Sequence, residues 1–394
     1  MSKVNDLIKE MCPNGVKYKK LLECCHFQNG FAFKSNLFKD RGEILLRITN
    51  INNNKIDLKD IKYINVNDYK EELNKYIVKN DEIVIAMSGA TTGKIGINKT
   101  NRNLYLNQRV GKIVPVDNNL NNHFLYHYLL SKVNYFYQLA GGGAQPNLSA
   151  DSIKNTKIPI PPIEIQEEIA NILDKFNELE AELEAELEAR KQQYEFWRGK
   201  LFNCRDESKE LYISERFSRL KGTAITAKKM KNIEEKNGDV RIFAGGKTMI
   251  DTNKSNIPEK DIIREPSVIV QSRGVIDFIY YDKPFSFKQE MWAYTSDNKI
   301  TTKYLYYYLK NNVEYFRNVG AQMGSMPQIS LNTTEKFNIY LPTIIEQEKV
   351  VKILDKFDKL VNDISEGLPA EIELRRKQYE YYRNKLLNFK EVIA

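Results

Sequence analysis

The chain reads as an α+β protein: two mixed α/β modules in tandem, each followed by a long helix. Three observations predict this. Gln166-Glu167 … Ile172-Leu173-Asp174-Lys175-Phe176 recurs 181 residues later as Gln347-Glu348 … Ile353-Leu354-Asp355-Lys356-Phe357, and a fixed-period self-match of this kind marks a duplicated architecture. Each copy then closes on Arg-x-x-Gln-Tyr-Glu-aromatic-aromatic-Arg-x-Lys-Leu, from Arg190 to Leu201 and from Arg375 to Leu386. Ahead of each copy lie short apolar β-type runs separated by turn residues. Two copies in one chain mimic a dimer with a pseudo-two-fold axis, which suits a partner that itself has two half-sites.

The first module is expected over residues 1–157. Its strands are Ile44-Leu45-Leu46-Arg47-Ile48, Ile83-Val84-Ile85-Ala86 and Gly111 to Val116, followed by a helical stretch from Phe124 to Leu139 and a Gly141-Gly142-Gly143 loop. Pro159, Pro161 and Pro162 cannot lie inside a helix and give an extended approach to the first long helix, in the segment 158–205. That helix places Ile172, Phe176, Leu179, Leu183, Leu187, Tyr194, Trp197 and Leu201 at spacings of a coiled-coil seam. The seam contains three tetrads, beginning at Leu179, Leu183 and Leu187, whose period of four drifts off a 3.5-residue repeat and acts as a stutter. As one helix it would be about 60 Å long.

The second module, 206–338, repeats the punctuation of the first. Ser267-Val268-Ile269-Val270 parallels the Ile83 strand, and Tyr304-Leu305-Tyr306-Tyr307-Tyr308-Leu309 parallels the aromatic helix from Phe124. Pro327-x-Ile329-Ser330 matches Pro146-x-Leu148-Ser149. The middles of the modules barely align. The last segment, 339–394, carries the second helix, and Gly367-Leu368-Pro369 predicts a break there, with Gly past one helix end and Pro in the next first turn.

Charge separates the modules from the helices. Glu164 to Lys200 holds 11 acidic and 5 basic residues, net −6; the chain carries +8, so the rest holds +14. The second helical segment balances, and basic modules on acidic or neutral helices suit a polyanion. No apolar run approaches the ~18 residues of a membrane span, and the first residues do not resemble a leader. The four cysteines (12, 24, 25, 204) form no framework or Cys-x-x-Cys pair, which fits reduced thiols in the cytoplasm. His123 and His127 could share a helix face, but no neighbouring carboxylate or cysteine completes a metal site.

No catalytic motif emerges. Gly89-Ala90-Thr91-Thr92-Gly93-Lys94 falls one residue short of a phosphate-binding loop and has Ile95 where Ser or Thr should hold magnesium. It reads either as a Gly-rich turn presenting Ser88, backbone N–H groups and Lys94 to phosphate, or as a plain hairpin turn. Neither a methyl-transfer Asn/Asp-Pro-Pro-Tyr/Phe motif nor hydrolase signatures are present, so the chain is expected to lack an active site. Residues suited to base edges cluster instead: Arg47 and Asn50, then Asn107, Gln108 and Arg109, and in the second module Arg241, Lys247, Gln271, Ser272, Arg273, Lys288 and Gln289.

Taken with the paired Gln-Glu … Ile-Leu-Asp-Lys-Phe segments, the Leu-Glu-Ala-Glu tetrads and the Gln-Tyr-Glu closures, the pattern resembles the specificity subunit of type I restriction–modification systems over essentially the whole chain. Gly30-Phe31-Ala32-Phe33-Lys34 and Ser88-Gly89 … Thr92-Gly93-Lys94 are similar to a first target recognition domain of that family, adding Lys34, Thr91 and Thr92 to the candidates. The resemblance implies two target recognition domains, each reading half of a split double-stranded DNA sequence, held apart by two helices pairing as an antiparallel coiled coil. It implies two modification (methyltransferase) subunits docked on those helices, with Phe176, Leu179, Leu183, Leu187, Tyr194, Trp197, Phe357, Leu360, Tyr379 and Tyr382 as interface candidates, and restriction (translocase–nuclease) subunits joining them. S-adenosylmethionine, ATP and magnesium belong on those partners, with no cofactor on this chain. Each tetrad adds about 6 Å of rise, so deleting residues 183–186 should shorten the spacer selected from random DNA by one or two base pairs. The other reading is a coiled-coil scaffold whose basic modules bind RNA or another acidic partner.

Overall fold

The computed structural model of the protein describes residues 2–52, 54–141, 146–202, 209–246, 248–322 and 326–392. The elements that matter here are α1 (Ser2–Met11), β1 (Ile83–Ala86), β2 (Ile95–Ile97), β3 (Val110–Pro115), α2 (Asn122–Ser131), α3 (Ile163–Phe202), α4 (Ala227–Asn232), β4 (Ser267–Gln271), β5 (Asp277–Tyr281), β6 (Trp292–Thr295), α5 (Lys299–Asn311), α6 (Ile344–Asn362) and α7 (Leu368–Leu386). Two compact units form: one joins Met1–Leu183 to Ile372–Ala394, the other is Glu184–Glu371.

In the first unit β3 pairs antiparallel with Cys25–Asn29 on one side and with β1 on the other, and β1 pairs with β2. Every residue of β1 is buried because a core lies on each face. Ile83 and Ile85 join Phe124, Leu125 and Leu173, whereas Val84 and Ala86 join Ile44, Leu46 and Leu104. A strand covered on both faces reads as an unbroken apolar run, and this one does. The expected strand at 44–48 stops at Leu46, since Ile48–Asn50 is a 3₁₀ turn.

The second unit repeats the plan. β6 pairs antiparallel with Ser218–Lys221 and with β4, and β4 pairs with β5. Val268 and Val270 face a core with Leu305 and Phe316, while Ile269 faces Phe243 and Phe285.

α3 is continuous over 40 residues. The second helical segment is broken between α6 and α7. A Cβ on Gly367 would sit 2.5 Å from the Lys359 carbonyl oxygen and 2.6 Å from that of Asp363, so only glycine fits where the chain turns back over the end of α6. Within the first unit α3 and α7 run antiparallel. Phe176 stacks on Tyr382 at 5.4 Å, and Glu180, further along α3, pairs at 2.7 Å with Arg376, further back along α7. In the second unit Tyr194 lies 6.1 Å from Phe357.

These contacts correct part of the seam reading. Phe176, Phe357 and Tyr382 are half-buried, Tyr194 and Tyr379 are buried, and the chain itself covers them. Leu183 and Leu187 are half-buried, whereas Leu179, Leu360 and Trp197 are exposed. A period of four advances about 40° per step on a 3.6-residue helix, so the tetrad leucines wind around α3 instead of lining one face.

The Asp of each Ile-Leu-Asp-Lys-Phe run fastens its long helix to the aromatic helix of its module. Asp174 accepts from His127 Nε2 at 2.9 Å and from His123 Nδ1 at 2.5 Å. His127 Nδ1 accepts from the Tyr379 hydroxyl at 2.9 Å, and His123 Nε2 lies 3.2 Å from Lys99 Nζ. The expectation that no carboxylate joins this histidine pair is thus overturned, since Asp174 arrives from 47 residues beyond His127. Every ring nitrogen is already engaged, and among the described residues no cluster of three metal-ligating side chains occurs. Burial pushes the His127 imidazole below its ordinary value, against the pull of Asp174. Burial alone would raise Asp174, but hydrogen bonds from the two histidines hold it well below the usual carboxylate range. In the second unit Asp355 does the same work with other donors: Lys303 Nζ at 2.8 Å and the Tyr307 hydroxyl at 2.5 Å.

The ends of the chain meet in the first unit. The Val16 N–H donates to the Lys390 carbonyl (2.8 Å), the Val392 N–H to the Val16 carbonyl (3.0 Å), and the Tyr18 hydroxyl to the Phe389 carbonyl (3.0 Å). Cys12, Cys24 and Cys25 are free and buried; Cys204, Gly142 and Gly143 lie outside the described residues.

Candidate nucleic-acid interface

Both modules build one tip from unlike side chains. In the first, the turn entering β3 is closed by the Val110 N–H on the Asn107 carbonyl (2.8 Å); in the second, the turn entering β6 is closed by the Met291 N–H on the Lys288 carbonyl (2.8 Å). Asn107 bridges in parallel to Phe31, and Lys288 to Thr223. Gln108 and Gln289 therefore occupy the same place, and both are exposed with no side-chain partner among the described residues. Arg109 is likewise exposed and unpaired among them, whereas its counterpart Glu290 holds Lys288 at 2.5 Å.

Beside each turn lies a second one. After β1 the Gly89 N–H donates to the Pro146 carbonyl (3.2 Å), and after β4 the Gly274 N–H donates to the Pro327 carbonyl (2.9 Å). Gly89 has φ +76° and Gly274 +73°, a left-handed conformation that only glycine adopts cheaply. Ser88 bridges to Asn147 and Arg273 to Gln328, so these too are equivalent positions. Arg273 is exposed, its Nε donating to Gln328 Oε1 at 2.8 Å.

The Gly89 loop is a hairpin turn, since β1 and β2 pair across it. Thr92 is buried and its hydroxyl donates to the Gly89 carbonyl (2.7 Å), so Thr92 holds the loop and presents nothing outward. Ser88 Oγ and Thr91 Oγ1 are buried oxygens with no partner among the described residues. Lys94 is half-buried and Lys34 exposed, neither in an ion pair among the described residues.

Several candidates serve the fold instead, a correction to the sequence reading. Asn50 is 2% exposed; its Oδ1 accepts from the Arg47 N–H, and its Nδ2 donates to the Asp57 and Asp60 carbonyls. Arg47 Nη2 donates to the Asp60 carbonyl (3.0 Å), so the pair closes the 50–60 loop. Gln271 is buried and its Nε2 donates to the Gly246 carbonyl at 2.5 Å. Ser272 is buried, and its carbonyl accepts from the Ile329 N–H. Arg241 makes a two-pronged pair with Asp251 (2.7 and 2.9 Å), which lowers the Asp251 carboxyl and raises the guanidinium. Lys247 lies outside the described residues. What the residues brought together can do is hydrogen-bond and ion-pair along an edge; they hold no nucleophile–base pair.

Asn147 and Gln328 were missed. Their signal was present in the shared Pro-x-Leu/Ile-Ser motif, whose variable position faces the Ser88 or Arg273 turn.

Comparison with known proteins agrees with this duplicated design. A family model described as the type I restriction modification DNA specificity domain matches residues 13–189 and again 216–374. A putative type I restriction enzyme specificity subunit of Haemophilus influenzae is 30% identical over 352 residues, 84% of this chain and 88% of that one. The EcoR124I/EcoR124II specificity subunit of Escherichia coli is 32% identical over 256 residues, 59% of this chain and 63% of that one. The crystal structure of a type I restriction–modification S subunit from M. genitalium shares the fold, with TM-score 0.63 and 17% identity over 95% of this chain and 96% of that one. With a family model matched twice over most of its length, the chain belongs to the type I restriction–modification DNA specificity family.

Proposed function

We propose that each module reads one half of a split DNA sequence through its paired turns: Gln108 and Arg109 beside Gly89 in the first, Gln289 and Arg273 beside Gly274 in the second. The observation that carries this is the equivalence of the two tips, where one backbone presents the same glutamine but exchanges Arg109 for Glu290 and Ser88 for Arg273. A shared frame with exchanged side chains is what two different half-sites require. Glutamine suits adenine and arginine suits guanine in the major groove; Lys34 and Lys94 are assigned to phosphate, a contact that positions without specifying. The scaffold reading loses its ground, because a coiled-coil handle alone gives no reason for matched tips.

The chemistry is assigned to partners: two modification subunits that carry S-adenosylmethionine, and restriction subunits that use ATP and magnesium. Exposed apolar side chains at repeat-equivalent helix positions support two copies of one partner. Phe196 and Tyr381 are 63% and 61% exposed, and Leu179 and Leu360 are 45% and 36% exposed. No helix among the described residues is long and apolar enough to cross a membrane.

The test is copurification with modification subunits followed by methylation mapping on genomic DNA. A split, asymmetric motif is expected, with Gln108→Ala relaxing one half and Gln289→Ala the other. A motif that blurs in both halves with either variant would sink the assignment.

A further inference from the structure

We propose that α4 is a phosphate clamp, present in the second module only, that grips the DNA backbone beside the second half-site. This rests on the DNA-reading function proposed above and assigns residues outside the two reading turns.

Lys228, Lys229 and Lys231 of α4 are exposed and have no ion pair or hydrogen-bond partner from their side chains among the described residues. The helix that carries them is fixed. Met230 is 3% exposed in a core with Ile225, Val240 and Ile242, and the Thr226 hydroxyl caps the first turn by accepting from the Lys229 N–H at 3.2 Å. The acidic groups that follow α4 make no ion pair with its lysines among the described residues: Glu235 is bonded to the amides of Asn253 and Asn256, Asp251 is taken by Arg241, and Glu234 is exposed. From Lys221 to Lys236 five lysines stand against Glu234 and Glu235, a net +3.

The topology puts this charge at the tip. Thr223 bridges in parallel to Lys288, so both segments run in the same direction towards the reading turn. The chain reverses at Gln289, whereas the other segment continues through Ala224 and Ile225 to Thr226, about 10 Å at ~3.3 Å per residue, and enters α4 there. Three cations on a pinned helix next to a base-reading turn fit the charge of a duplex backbone. In the first module the equivalent stretch, past the Phe31–Asn107 bridge, is the Ser35–Leu37 turn, where Lys34 at the N-cap stands against three lysines on α4. Lys39 beyond it is paired with Asp68. The grip on the two half-sites is therefore unequal.

The test uses the complex of the full chain with its modification subunits, and a duplex carrying the mapped target. For K228Q/K229Q/K231Q the slope of log affinity against log salt should flatten by about 2 to 3, at about 0.9 for each phosphate no longer neutralised. The methylated motif should stay unchanged, and backbone protection should disappear only beside the second half-site. The corresponding triple Lys→Arg variant should keep both slope and protection. An unchanged slope, a relaxed motif, or protection reduced equally at both half-sites overturns the clamp. If the unmodified complex shows no preference for a split duplex, the reading function itself fails, and that is seen before any lysine is changed.

Discussion

The first unit fastens its long helix with an aspartate between two imidazoles, and the second fastens its own with an aspartate between an ammonium and a phenol. Asp174 and Asp355 are the same residue of the repeat, as are His123 and Lys303, and His127 and Tyr307. Duplication preserved the acceptor and let the donors drift, because a carboxylate takes any well-aimed donor. The difference teaches that equal geometry does not mean equal response. One clamp is built on imidazoles, and the other on an ammonium and a phenol.

The largest way to break the comparison is to delete the shared acceptor. Asp174→Ala strands two histidines, one of them fully buried, and should destabilise the first unit by about 3 kcal/mol. Asp355→Ala strands the buried Tyr307 hydroxyl but leaves Lys303 able to reach solvent, and should cost the second unit about 1–2 kcal/mol. Hydrogen exchange resolved by unit would show each loss confined to its own half; equal loss in both would contradict independent clamps.

Next comes specificity. Gln108→Ala and Gln289→Ala should each lower discrimination at one base by about 1–3 kcal/mol without changing stability, read by competition binding with single-base variants of the mapped target. Gln271→Ala should instead loosen the loop at Gly246 and weaken the second half-site as a whole. Base-selective loss from Gln271→Ala would restore it as a reader.

The pH response sharpens the contrast further. His127 is held neutral in the fold, so the unfolded chain takes up a proton below about pH 6.5 that the folded one refuses. Its contribution is complete above that pH and declines as pH falls, by at most about 1.4 kcal/mol per pH unit. The depressed Asp174 adds its own loss only near and below about pH 4. Between pH 7 and 5 the first unit should weaken and the second should not. The double variant H123K/H127Y, which imports the donors of the second clamp, should remove that slope in denaturant titrations at each pH. The smallest effect belongs to Phe196→Ala and Tyr381→Ala, expected within about 0.5 kcal/mol of the parent in stability while weakening capture of modification subunits.

The handle was legible in the sequence because its offset is 181 through the Ile-Leu-Asp-Lys-Phe runs and 185 through the Gln-Tyr-Glu closures, and Gly367 and Pro369 announced the break between them. The tips were not. Gly30 and Gly222 differ by 192, Gly89 and Gly274 by 185, Gln108 and Gln289 by 181, and the aromatic helices by 180. A fixed-period comparison loses register at each insertion, although the hydrogen bonds restore it. Gln271 misled for another reason: a polar residue ending an apolar strand looks exposed, but β4 is buried to its last position. Asp174 escaped notice beside His127 because helical spacing sees only four residues, not forty-seven.

The meeting of the chain ends in the first unit sets an order on synthesis. The second unit is one unbroken stretch, while the first lacks Tyr379 under His127 and the strand-like pairing of residues 390–392 until the ribosome has added about 200 residues past Leu183. At about 5–20 residues per second that is roughly 10 to 40 s. The module translated first is thus completed last, and through that interval its nascent core waits with one wall missing.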